Sequence, residues 1–347
     1  MTMHSLIRSY GKPLTSLFVC LTAFWLLVMI ALPQAFMIEH SLWHIDRDDQ
    51  LGMKIDRAYS EMGLVEYDLK AAKTEKVRAE FQTRIDALKA QIAALEAQET
   101  EPPKIYGIHN YTKMSELHFT IFLKSIVFAL MVTVLALVVC YPMAFTIAKL
   151  ATPYKAALMM LGLIIPYAIN ELLRVYAWLM ILDYQGVINS ALAWLGLVSF
   201  EAKTWVPFLE NPGSVFVALI YAYVLFMIFP IYNTVETLDK NQLEAAKDLG
   251  ASTWKTHMRI VIPHAKPGIA VGCIMTFMLS VGSYSVPQIM TRGKSGDWFS
   301  QLIYRQFFES QNWNTGAAYS FSLVIVCLAF ILIMMKSFKV GIRDIAK

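Results

Sequence analysis

The sequence predicts an all-α, polytopic membrane protein. It should have six transmembrane helices, both termini on the cytoplasmic side, and an external helical, coiled-coil-like insertion between spans one and two. Three observations predict it. Hydrophobic residues make up 57% of the 347 residues and charged residues only 16%, too little charge to cover a water-soluble chain of this length. The apolar residues gather into runs long enough to cross a bilayer, which takes roughly 20 residues per helix, and the ~10-residue alternating segments of a membrane barrel are not seen. Lysine and arginine collect in the segments that six spans place on one face.

The first run covers about residues 15 to 37. It is too long for a signal-peptide core and no small-residue cleavage site follows it, so it is read as a retained span. The further runs cover about 119–147, 156–182, 213–233, 267–290 and 316–335. Arg8 and Lys12 precede span one, Lys149 and Lys155 lie between spans two and three, Lys240, Lys247, Lys255, Arg259 and Lys266 between four and five, and Lys336, Lys339, Arg343 and Lys347 follow span six. The positive-inside rule makes that face cytoplasmic. The resulting division is a tail and first span over 1–37, an external insertion over 38–118, a core over 119–340 with a polar loop at 239–263, and a tail over 341–347.

Within the insertion, Phe81, Ile85, Leu88, Ile92 and Leu95 alternate steps of four and three, the spacing of a helical seam. Residues from about Asp56 to Gln98 should form one long helix or a helical hairpin, ended by Glu101-Pro102-Pro103. Two readings stay open, a solvated decoration and a docking surface for an external partner. The connections at about 183–212 and 291–315 are rich in aromatics, among them Trp194, Trp205, Trp298, Phe299, Tyr304 and Trp313, as expected of an interfacial belt with a short surface helix near Gly186–Leu197. Cys20, Cys140, Cys273 and Cys327 lie in apolar runs without paired spacing and are read as small hydrophobes. Zinc-ligand spacing, a phosphate-binding glycine loop and a nucleophile elbow are all missing, so catalytic residues and a metal site are not assigned.

The polar loop reads as a helix–turn–helix. Asp239 or Asn241 can cap a short helix, Gly250 suits its left-handed end, and Ser252 or Thr253 can cap a second helix running toward Pro263. Pro263 and Pro267 should bracket the start of span five. Ala245 and Ala246 offer a small surface for close approach.

These residues carry a resemblance. Glu244-Ala245-Ala246, three residues that include Asp248, then Gly250, nine residues, Ile260, and Ile262-Pro263 resemble the EAA loop of permease subunits of binding-protein-dependent ABC importers, with Ile262 in place of the usual leucine. Over about residues 115 to 340 the chain is similar to spermidine/putrescine-type permeases, notably at Leu172–Leu197 and Tyr221–Asp239; the insertion is outside that likeness. The resemblance implies a multi-pass permease of a bacterial inner membrane that is not itself an enzyme. It implies two ATPase subunits that carry ATP and Mg, a second permease subunit that is a homologue, a periplasmic binding protein, and lipid around the spans. It implies no cofactor on this chain and no nucleic acid. Glu244, Ala245, Ala246, Asp248, Gly250, Ile260 and Pro263 become the candidate ATPase-coupling residues.

A substrate path is sought where polar residues enter spans, because charge there costs at least ~2.5 to 3.5 kcal/mol. Glu171 and Arg174 are three apart on one face of span three, and Tyr167 and Trp178 continue that face, with Asn170 beside it. Two readings stay open: an ion pair that steadies the bundle, or a polar lining. In span five Ser280, Tyr284 and Gln288 share a face, with Ser283 beside it and Pro287 expected to break the helix. Related polyamine permeases tend to carry an acid here, whereas this chain has Gly282-Ser283-Tyr284. A polyamine-like cation, an opine, an amino acid and a quaternary amine therefore all stay open as solutes. The alternatives are a membrane-anchored receptor or scaffold built around the external coiled coil, and an ion-coupled secondary transporter.

Overall fold

The computed structural model describes residues 3–45, 50–71, 75–97, 104–200, 204–292 and 298–341. They divide into two units, Met1–Met114 with Ile303–Ser322, and Ser115–Leu302 with Leu323–Lys347.

In the first unit, α1 (Met3–Leu26) kinks at Gly11, a π turn spans Leu27–Ala31, and α2 (Leu32–Ser41) completes an apolar helix from Gly11 to Ser41. Leu17, Phe18, Leu21, Phe24, Trp25, Met29 and Ile30 are exposed around it, as a lipid-solvated helix allows. The insertion follows as a hairpin: β1 (Trp43–Ile45), α3 (Gln50–Ala71), α4 (Glu75–Glu96) and β2 (Lys104–Tyr106). Ile85, Leu88 and Phe81 pack on Met62, Val65 and Leu69, so the heptad seam closes within the hairpin. Arg84 pairs with Glu61 at 2.7 Å and the Tyr59 hydroxyl donates to Glu96 at 2.8 Å along its rim. The Glu101-Pro102-Pro103 terminator lies outside the described residues, as do Arg343 and Lys347 of the C-terminal tail.

The ribbon at the base was not legible in the sequence. β1 and β2 pair antiparallel with Trp43 opposite Tyr106, and α5 (His109–Thr112) follows. Asn110 Nδ2 donates to the carbonyls of Ser41 and Trp43 at 3.0 and 2.9 Å, and Asn314 Nδ2 donates to those of His40 and Trp43 at 2.8 and 2.9 Å. Two short strands need such help, since an isolated ribbon is marginal in water.

The second unit is built on α6 (Glu116–Phe145), capped by Ser115 and continued by a π turn at Thr146–Leu150. Then come α7 (Pro153–Ile164), a 3₁₀ turn (Ile165–Ala168), α8 (Glu171–Leu182), α9 (Val187–Trp194) and α10 (Pro212–Glu236). The chain ends with α11 (Lys240–Asp248), α12 (Thr253–Thr256), a π turn (His257–Val261), α13 (Ile262–Gly282), α14 (Ser285–Met290), α15 (Phe299–Phe308) and α16 (Trp313–Phe338). Its core is a three-helix contact: Ala136, Cys140 and Ala144 of α6 meet Met227, Ile228 and Ile231 of α10 and Ala265, Ile269 and Cys273 of α13. A Cβ on Gly268 would lie 2.2 Å from the Pro230 carbonyl oxygen, and one on Gly272 2.9 Å from Met227 Sδ. Glycine is what lets these backbones touch.

Five described helices are long and apolar enough to span, and there are six when the bent pair Pro153–Ala168 with Glu171–Trp194 is counted as one span. The third span is therefore not the straight helix expected at 156–182; it turns by 98°. Pro166 has no N–H to give and its ring disfavours a continuous helix. Asn170 then adopts an extended backbone and caps α8, accepting from Leu172 N at 2.9 Å. The fifth span also departs from 267–290. One helix runs from Thr253 to Gly282 and stops at Ser283. Pro263 and Pro267 lie inside it rather than ahead of it, because the π turn hands Ile262 N to the His257 carbonyl and opens the ladder before the first proline. The break falls four residues before Pro287, where a proline ring would meet the carbonyl in a continuous helix; the Ser283 carbonyl accepts from Ser300 Oγ at 2.6 Å instead. Trp298 and Phe299 are buried core residues, not members of an interfacial belt, whereas Trp194 is exposed.

Candidate functional site

Two places gather the polar residues singled out above. The first is the bend of the third span. Arg174 is 9% exposed, and its guanidinium lies 4.1 Å over the centre of the Tyr167 ring. Tyr167 reaches it across the bend, not along one helix face, because the helical register ends at Ala168. Its hydroxyl donates to the Ala222 carbonyl and so fixes the ring against α10. Arg174 Nε and Nη1 are buried without a hydrogen-bond partner. A desolvated cation–π contact offers ~2 kcal/mol.

Glu171 does not supply the match. No Glu171–Arg174 ion pair forms among the described residues; the half-buried Glu171 carboxylate accepts from Ser285 Oγ at 3.4 Å. This overturns the paired-ion reading of the two residues. Glu171 opens α8, where a carboxylate suits the helix dipole. Trp178, on α8 with Glu171, stands edge-on to Tyr221 of α10 at 5.5 Å.

Span five contributes differently from the periodic reading. Ser280, Tyr284 and Gln288 do not share a face, because the helix breaks at Ser283. Ser280 and Ser283 are buried with Oγ atoms that have no partner. Gln288 Oε1 accepts from Gln301 Nε2 at 2.8 Å, and Tyr284 is half-buried at the break. Ser285, Ser300 and Gln301 were missed by the sequence reading. Their partners lie 13 to 114 residues away, and no local pattern marks such contacts.

The segment from Asp183 to Gly186 closes α8 tightly. A Cβ on Gly186 would lie 2.4 Å from the Met180 carbonyl oxygen. Arg292 pairs with Asp183 at 2.7 Å, and buried Asn189 donates to the Asp183 and Val206 carbonyls.

The second place is the polar loop. Asp239 caps α11, accepting from Asn241 N at 2.9 Å. Gly250 takes φ 73°, its N–H donates to the Lys247 carbonyl at 2.8 Å, and Ala251 N donates to the Ala246 carbonyl at 2.9 Å. This pair of bonds is the Schellman end that glycine permits. Ser252 caps the next helix, accepting from Lys255 N. The two alanines part company: Ala246 is buried and Ala245 exposed, so only Ala245 adds to the surface of the loop. Glu244, Asp248, Gly250 and Pro263 are exposed with Ala245, while Ile260 packs on the helical core. Leu249 is 88% exposed at the tip, an apolar knob on a polar loop that the sequence displayed and the motif did not flag.

Residues 1–340 match the family described as "Binding-protein-dependent transport system inner membrane component". The chain is 35% identical over 234 residues to the spermidine/putrescine transport system permease protein PotB of Escherichia coli (strain K12), covering 67% of this chain and 83% of that one. It is 30% identical over 224 residues to the inner membrane ABC transporter permease protein YdcU of the same organism, covering 62% of this chain and 71% of that one. Among solved structures it resembles a bacterial ABC transporter involved in the import of the acidic polysaccharide alginate, with TM-score 0.52 and 19% identity over 72% of this chain and 88% of that one. At that identity the likeness speaks for the fold alone.

Proposed function

The chain belongs to the family of binding-protein-dependent transport system inner membrane components, and on that premise we propose that it carries a small organic cation past Glu171 while α11 receives the push of an ATPase. It is the permease subunit of such an importer, an inner-membrane protein that works with an ATPase and a periplasmic binding protein and is not itself an enzyme. That membership sets aside the receptor and secondary-transporter alternatives.

The observation that carries the cationic solute is the Glu171 carboxylate, half-buried in a span and not neutralised by Arg174. A carboxylate at such a place is a functional site by default. The relatives named for spermidine and putrescine support the same class. Gly282-Ser283-Tyr284 brings no second acid to the break in span five. A solute of low positive charge, such as a diamine, a quaternary amine or a cationic amino-acid derivative, therefore fits better than a longer polycation.

The coupling part rests on the exposed row of Glu244, Ala245, Asp248 and Gly250 beside the Leu249 tip. This row enters a groove on the ATPase. Two ATPase copies holding ATP and Mg, and a homologous second permease, complete the assembly. Two experiments test the reading. Mild-detergent capture of this chain with mass spectrometry should recover an ATPase and a second permease in the stated copy numbers. Uptake of radiolabelled putrescine by reconstituted transporter should fall at least ~10-fold in Glu171→Gln, the loss expected when ~1.4 kcal/mol of charge attraction goes. Unchanged uptake and solute range would return Glu171 to a structural role.

A further inference from the structure

The segments that lead into and out of α11 are both bonded to one span. Lys149, in the π turn that ends α6, donates from Nζ to the carbonyls of Glu236 and Leu238 at 2.9 and 2.5 Å. Leu238 is the residue before Asp239, the cap of α11. At the other end, α12 runs into the π turn that begins at His257. The His257 ring shares a hydrogen bond of 2.7 Å between Nδ1 and the Tyr141 hydroxyl, and meets the Phe145 ring edge-on at 4.5 Å. Tyr141 of α6 and Lys149 of the π turn that continues it lie on one span, about two turns or 12 Å apart. A third bond, of 3.0 Å between Thr237 Oγ1 and His264 Nε2, ties the end of α10 to α13.

We propose that Lys149 and the Tyr141–His257 pair are positioning residues that make α11 and α6 move as one body, so that span two delivers the ATPase stroke to the solute path. The proposal rests on the coupling reading of α11. Its physical ground is that α11 itself is short and mostly exposed, with Ala246 its one buried residue. Only Ala246 and the partly buried Leu243 seat it on the bundle, so the segments at its ends carry the rest of the load. The two carbonyls that Lys149 holds are otherwise orphans at the end of α10, and a cation suits that end of a helix. π turns inside helices are frequent at functional sites; here one carries Lys149 and the other begins at His257.

The test uses the transporter assembled with its ATPase in nanodiscs, with spin labels placed by non-cysteine chemistry at exposed Gln242 of α11 and exposed Val138 of α6, and a second pair at Gln242 and Leu332 of α16. Distances are read without nucleotide and with ATP trapped. In the native chain the 242–138 distance should stay fixed while 242–332 shifts. Lys149→Met, and separately Tyr141→Phe with His257→Ala, should make 242–138 shift and broaden with ATP, and Lys149→Arg should restore the fixed distance. A native 242–138 distance that shifts with ATP overturns the proposal, as does one that stays fixed in the Lys149→Met and Tyr141→Phe/His257→Ala chains. A native 242–332 distance that does not respond to ATP overturns the coupling reading instead.

Discussion

The guanidinium of Arg174 lies 4.1 Å above the ring of Tyr167, across a 98° bend in the third span. That stacking occupies the arginine and leaves Glu171 to Ser285. A spacing of three residues on a helix normally pairs opposite charges; here a ring from before the bend has taken the cation.

The stacking predicts a graded loss of stability at Tyr167. Tyr167→Phe keeps the ring and loses the hydroxyl bond to Ala222, which should cost about 1 kcal/mol. Tyr167→Leu also loses the cation–π contact, adding ~2 kcal/mol for a desolvated pair. Thermal unfolding of the purified protein in detergent checks the order; equal effects would mean that the ring does not hold Arg174.

Coupling should separate from folding at the loop. Glu244→Lys changes an exposed residue and should leave membrane insertion and melting temperature unchanged. Transport should fall ~100-fold while ATP hydrolysis continues, a loss of ~2.8 kcal/mol in coupling. Gly250→Pro should do the same and also lower stability, because proline cannot take φ 73° or donate to the Lys247 carbonyl. Uptake and ATPase assays on the same proteoliposomes decide it.

The Leu249 tip is an anchor if α11 seats in a groove. Leu249→Asp should cut the ATPase recovered with this chain in detergent, since it would put an unpaired charge into the contact. Ala is the control, with a smaller loss, about 1 to 2 kcal/mol of interface. Full recovery with Leu249→Asp would place the docking contact elsewhere on the loop.

Helix contact at Gly268 should tolerate nothing larger than hydrogen. Gly268→Ala drives a methyl toward the Pro230 carbonyl and Thr234 Oγ1, each 2.2 Å away, and overpacking of this kind costs ~1 to 3 kcal/mol. Gly162→Ala, where nothing lies within 4 Å of the added carbon, is the silent counterpart. Protease resistance of the membrane-inserted protein should fall for the first and not for the second.

Much of this was legible in the chain. Apolar runs located the spans, since membrane thickness imposes their length. The heptad from Phe81 to Leu95 foretold a seam, and the structure closes it in the insertion's own hairpin. Asp239, Gly250 and Ser252 take the cap and end positions that their local chemistry allows. Legibility failed wherever periodicity was carried through a break. Tyr167 with Arg174, and Ser280 with Tyr284 and Gln288, were placed on single faces that Pro166 and Pro287 do not permit.

The sequence by itself determined the helical class, the apolar runs long enough to span, the seam of the insertion and the capped helix–turn–helix of the polar loop, because those follow from run length, heptad spacing and short-range caps. Only the tertiary structure decided which charges meet. Glu171 found Ser285, Arg174 found Tyr167, Lys149 found the end of α10, and Ser283 found Ser300. Each is a hydrogen bond or ring contact between different elements of the bundle. Within a bundle such contacts are set by how closely helices pack, here by Gly268 and Gly272, and by where prolines release backbone carbonyls. Sequence spacing along any one helix does not contain that information.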